Sequence, residues 1–106
     1  MVFIKRFLRI VKIKLQGLIY KMDKNIEKEI INIIAKIKGI NEEEIYQNYT
    51  QALTGKVFKL DAIDMTYFVL EIMKKFNLRF EKKDFDDYKF NFISNVVNIV
   101  KDKILF

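Results

Sequence analysis

The lack of proline constrains this chain more than any other feature. Its 106 residues contain no proline and only three glycines, Gly17, Gly39 and Gly55. Tight β-turns draw heavily on both residue types, so a turn-rich β fold is disfavoured. Helices joined by short loops fit instead. The length is that of one domain. With 51% apolar and 32% charged residues, the composition is that of a globular chain and not a disordered one.

Two further absences narrow the chemistry. There is no cysteine, hence no disulfide, no thiol nucleophile and no thiolate metal ligand. There is no histidine, the commonest general base and the commonest transition-metal ligand. Ser94 is the one serine. A Ser-His-Asp or Cys-His enzyme is therefore excluded. Acid pairs such as Asp61 with Asp64, or Asp84 with Asp86 and Asp87, read as helix caps and solvated charge. Carboxylate catalysis needs a pocket that shifts a pKa, and a small bundle offers little room for one. No catalytic residue and no metal ligand is expected.

The net charge of +6 is not spread evenly. Residues 1–22 hold Lys5, Arg6, Arg9, Lys12, Lys14 and Lys21 with no acid. The other fourteen bases match the fourteen acids, so residues 23–106 are neutral. The segmentation that follows is a basic amphipathic extension over 1–22 and a helical domain over 23–106.

Within the extension, Ile4, Leu8, Val11, Leu15 and Leu18 recur at helical spacing, with Lys5, Arg9, Lys12 and Gln16 on another face. Charges interrupt it throughout, so it is no membrane span. Its longest uncharged run, Leu15–Tyr20, is too short for a secretory signal. Lys12 to Gln16 also alternates with period two, as a strand would. Three readings stand: a helix packed on the domain, a basic helix lying on an anionic membrane surface or a partner, or a start at Met22 that leaves the extension out of the mature chain.

The domain itself reads as three or four helices. Ile26, Ile30, Ile33, Ile34 and Ile37 form an apolar stripe, with Asp23 or Asn25 as its cap and Gly39 as its left-handed end. Asn41 and Glu44 have capping-box spacing before a short turn of helix. Tyr49 to Leu60 reads as a long connecting loop. A second long helix runs from Ala62 to Asn77, capped by Asp61. Val69, Ile72 and Phe76 make one apolar row on it, and Ile63, Tyr67, Leu70 and Met73 another. That is more apolar surface than one buried face needs. Glu81 to Lys89 fits one short helix. The last helix spans Asn91 to Lys103 with the stripe Ile93, Val96, Val97, Val100 and Ile104. Ser94 falls off that stripe as an exposed helix serine.

This order of elements, with Asp61-Ala62-Ile63-Asp64 opening the second long helix and Phe76 near its end, resembles the acyl and peptidyl carrier proteins over residues 24–104. The resemblance implies an all-α, acyl-carrier-like bundle of three to four helices. In that family Asp-Ser-Leu-Asp stands at this place, and the serine hydroxyl carries 4′-phosphopantetheine. Here Ala62 replaces it. Alanine has no oxygen to esterify, so the chain as written takes no such group. Thr66, one turn on, has the wrong neighbours for the transferase. The family's second helix is typically acidic, with a glutamate common where this chain has Tyr67. Here Asp64 and Glu71 are offset by Lys74 and Lys75, and steering toward basic partners is weak or reversed.

The resemblance implies a non-catalytic docking module for biosynthetic or peptide-modifying enzymes, bacterial and cytoplasmic. Serine-less relatives of carrier proteins accompany enzymes that modify ribosomally made peptides. The expected contact residues are Ile63, Tyr67, Leu70 and Lys74, flanking the degenerate attachment position at Ala62 between Asp61 and Ile63. The expected partners are proteins, with no nucleic acid, and with membrane-surface contact through residues 1–22 left open. The alternatives are a genuine carrier in a Ser-to-Ala form, for which 4′-phosphopantetheine would be the cofactor, or a basic helical protein that binds nucleic acid or a membrane surface.

Overall fold

The computed structural model describes residues 2–105. Residues 1 and 106, the outer ends of the two expected segments, lie outside them. Among the described residues there is no strand, and the fold is all-α.

Helix α1 runs unbroken over Val2–Lys38. The extension and the first helix of the domain are thus one rod, about 55 Å long at 1.5 Å per residue. The charge pattern changes at Met22 but the backbone does not. Asp23 and Asn25 therefore lie inside the helix and cap nothing. No glycine or proline stands there to stop the ladder, and Asp23 instead faces Lys101 near the other end of the chain at 3.4 Å. The helix ends as expected at Gly39, whose φ of +66° is the left-handed region that a Cβ would disfavour. Its N–H donates to the Ala35 carbonyl.

The half of α1 beyond residue 22 carries the core. Ile26, Ile30, Ile33 and Ile34 are buried, as is Ile31, which the single-stripe reading left out. Ile37 is half-buried. The cause is that this half packs against α3 (Ala62–Phe76), α4 (Ile93–Leu105) and the short helix Glu42–Gln47, and buries more than one face. Before Met22, residues 4–21 are all exposed, Ile4, Leu8, Leu15 and Leu18 among them. The strand alternative for Lys12 to Gln16 gives way to helix.

Short helix α2 (Glu42–Gln47) is capped by the Asn41 side chain, which accepts from the Glu44 N–H at 2.8 Å. It drops Ile45 into the core. The segment Tyr49 to Leu60 has no long helix, but it is pinned. Leu53, Phe58 and Leu60 are buried. The Leu53 N–H donates to the Asn91 carbonyl at 2.8 Å, and the Asn91 side chain bonds the Thr54 N–H and hydroxyl.

Between α3 and α4 the chain makes 3-10 turns over Lys82–Asn91. They are two turns and not one short helix. Asp86 is extended and Asp87 and Tyr88 are left-handed, with φ of 56° and 58°. Phe80 meets Phe85 and Phe90 edge to face, Phe85 is tilted against Phe90, and Phe90 is buried against Phe68 of α3. Helix α4 begins at Ile93, two residues later than expected, because Asn91 is engaged with Thr54. Ile93, Val96, Val97 and Val100 are buried, whereas Ile104 is exposed beyond the end of the core. Ser94 is exposed on α4.

Candidate functional site

The first turn of α3 is built by four groups from three parts of the chain. Asp61 is extended, with φ −90° and ψ −176°, the backbone of an N-cap. Its carboxylate accepts from the Asp64 N–H at 2.8 Å, and the Asp64 carboxylate accepts from the Asp61 N–H at 3.2 Å. This is a reciprocal capping box. Lys38, the last helical residue of α1, donates to the Asp64 carboxylate at 3.3 Å and to the Lys59 carbonyl at 3.2 Å. One ammonium thus ties the end of α1, the end of the loop and the start of α3. The Asp61 backbone hydrogen bond, with help from Lys38, holds the Asp64 carboxyl below its ordinary value.

Ala62 is the first residue of α3 and is exposed. Position 62 offers a methyl group where a phosphodiester would need a hydroxyl. The Thr66 hydroxyl, one turn on, donates to the Ala62 carbonyl at 2.8 Å and is turned onto its own helix. The residues present therefore do not fit a phosphopantetheine linkage.

Past Ala62, Ile63, Tyr67, Leu70 and Lys74 follow at intervals of four, three and four, which is one face of a helix. All four are exposed. Ile63 retains 67%, Tyr67 58% and Leu70 50% of its surface. None is covered by the loop. The face that α3 turns inward is Phe68 and Ile72, flanked by half-buried Met65, Val69 and Phe76. The row proposed from sequence as Val69, Ile72 and Phe76 is the edge and centre of that face. Phe68 was the residue missed, and its spacing of four from Ile72 was the available signal.

Two depressions border the exposed row. One, about 530 Å³, lies between α1 and α3 and is lined by Ile33, Lys36 and Ile37 on one side and Asp64, Tyr67 and Glu71 on the other. Lys75 and Glu29 close it with an ion pair at 3.3 Å. The other, about 300 Å³, is apolar and lies between Met65, Val69 and Leu70 of α3 and Phe85 and Phe90 of the 3-10 turns. Elsewhere, Asp84 accepts from Lys103 at 2.8 Å and from the Glu81 N–H at 2.7 Å. Burial raises the Asp84 carboxyl, but these hydrogen bonds and the lysine charges outweigh it and leave it lowered. The Tyr49 hydroxyl donates to Glu27 at 3.0 Å, and its pKa is raised by burial and by that carboxylate. Among the described residues no three acidic groups are placed to hold a metal. No described helix is long and apolar enough to cross a membrane. Comparison with family models, with curated proteins and with solved structures finds no match to this chain.

Proposed function

We propose that this chain is a non-catalytic docking module related to the acyl carrier proteins, which contacts a partner enzyme through Ile63, Tyr67, Leu70 and Lys74 of α3. The observation that carries the reading is an exposed apolar row at the start of a tightly capped helix whose first residue is Ala62. The order of elements supports the carrier relationship. A long helix, a short helix with a pinned loop after it, an Asp-capped helix, a short turn segment and a last helix follow one another, the order on which the resemblance rests. Loss of the hydroxyl removes the prosthetic arm but leaves the surface that such bundles present. Tyr67 supplies a large, rigid contact with a polar tip, the kind of side chain that anchors protein interfaces. The neutral charge of residues 23–106 favours apolar docking over steering by charge.

Three measurements test this reading. The first is the intact mass of the protein from its native cells. A mass equal to the sequence supports an unmodified module, and a mass greater by one phosphopantetheine plus the one oxygen of a native serine at position 62 returns the chain to the working carriers. The second uses Ala62→Ser with a broad-specificity phosphopantetheinyl transferase and coenzyme A. Modification at position 62 supports the carrier relationship, and its failure in a folded variant counts against it. Tyr67→Glu with Leu70→Glu is expected to abolish partner binding and to leave helicity unchanged. Binding at the wild-type level would assign the contact to another face.

A further inference from the structure

The free half of α1 is an unsupported helix with an ordered distribution of side chains. Ile4, Leu8, Val11, Leu15 and Leu18 lie within an arc of about 80° at 100° per residue, with Phe7 and Ile19 at its edges and Ile10, Ile13 and Tyr20 outside it. Each is exposed. At the same angular step, Lys5 and Lys12 fall along one border of that arc and Lys14 and Lys21 along the other. Residues 1–22 contain six bases and no acid, while the rest of the chain is neutral. The body joins α1 only from Met22 onward.

We infer that residues 4–21 lie on an anionic lipid surface as an amphipathic helix, with the apolar arc in the acyl boundary and the bordering lysines reaching to the headgroups. Long lysine stems beside an apolar stripe suit that arrangement, because the stem covers lipid while the ammonium stays at the phosphate level. The helix is too charged to cross the bilayer, so it rests on the surface. The body packs on α1 only from Met22 onward, so the segment before it has no contact with the body along its length. A second copy fits less well. Its arc would be bordered by the same lysines, with no acid in the segment to face them. The inference is independent of the α3 face, and either stands if the other fails.

The test is vesicle sedimentation with the full chain. Phosphatidylcholine vesicles are compared with vesicles holding one part phosphatidylglycerol to two of phosphatidylcholine. The protein is expected to pellet with the anionic vesicles at low salt, to stay in solution with the zwitterionic ones, and to be released as salt rises. Each base near an anionic surface contributes about fivefold in affinity, so Lys5→Gln with Lys12→Gln weakens binding about 25-fold. Leu8→Gln with Leu15→Gln keeps every charge and weakens binding more than tenfold, because apolar contact is lost. Circular dichroism of each variant checks that the helices persist. Equal pelleting with both vesicles, no pelleting with either, or wild-type affinity in the leucine double variant overturns the inference. A dimer by light scattering that the leucine variant splits, without vesicle binding, assigns the arc to a second copy and also overturns it.

Discussion

Asp64 accepts hydrogen bonds from the Asp61 N–H and from Lys38, and both favour its ionised form. Its folded pKa, like that of Asp84, lies below the ordinary 3.8. As pH falls through the ordinary carboxylate range the unfolded chain takes up protons first, while the folded chain still holds both carboxylates ionised. The stability they contribute is therefore present above that range and is lost as pH drops toward the folded values. Asp84→Asn is expected to make the fall of thermal stability between pH 4 and pH 2 shallower than in wild type, read by melting curves across that range. An unchanged slope would show that the Lys103 contact does not hold the carboxylate down. Asp61→Ala removes the cap and is expected to cost about 1 kcal/mol, seen as a lower urea midpoint at unchanged slope. The two aspartates were legible in the sequence, because a capping box is a local spacing of three. Lys38 was not, because it reaches Asp64 across 26 positions through a fold no local pattern encodes.

Helix boundaries divide the same way between local and tertiary causes. The end of α1 at Gly39 and the start of α3 at Asp61 follow from residue types with direct backbone consequences, and both could be read in advance. The start of α1 could not, since a change from basic to mixed composition at Met22 resembles a boundary while offering the backbone no reason to stop. The two left-handed residues Asp87 and Tyr88, which break the expected short helix, likewise have no local signature beyond the tolerance of aspartate for that region. Gly17 and Gly39 test the distinction with opposite signs. Gly17 is inside α1, and a Cβ built there meets nothing within 4 Å. Gly17→Ala is expected to favour the helix by about 0.5–1 kcal/mol. That segment makes no core contact, so the gain appears as added helicity and leaves the global melting temperature unchanged. Gly39 also has open space around it, so any cost of Gly39→Ala is conformational and not steric. At φ +66° that cost is about 1–2 kcal/mol of global stability. A melting temperature equal to wild type would show that α1 can end without the left-handed residue.

Taken whole, the molecule is a neutral body with a charged rod projecting from it. A chain of this length packed evenly would have a radius of gyration of about 13 Å, and the observed value is 16.7 Å with a long dimension of 58 Å. The excess is the free half of α1. That shape carries a prediction about stability, because opening residues 4–21 exposes no core while opening residues 26–34 exposes much of it. The free half is held by helix hydrogen bonds in water alone and can unwind from its end without disturbing α3 or α4. Ile30 to Ile34 can exchange their amide protons only when the whole body unfolds. Hydrogen exchange along this one continuous helix is therefore expected to change sharply near Met22, from little protection before it to protection matching the global unfolding free energy after it. Uniform protection along α1 would mean that the free half is covered in solution, with a second copy the first candidate. If protection of residues 4–21 instead rises only when anionic vesicles are added, the lipid surface is what completes the rod. The body's exchange should then remain as it was, because the surface touches α1 on the far side of Met22 from every residue of the core.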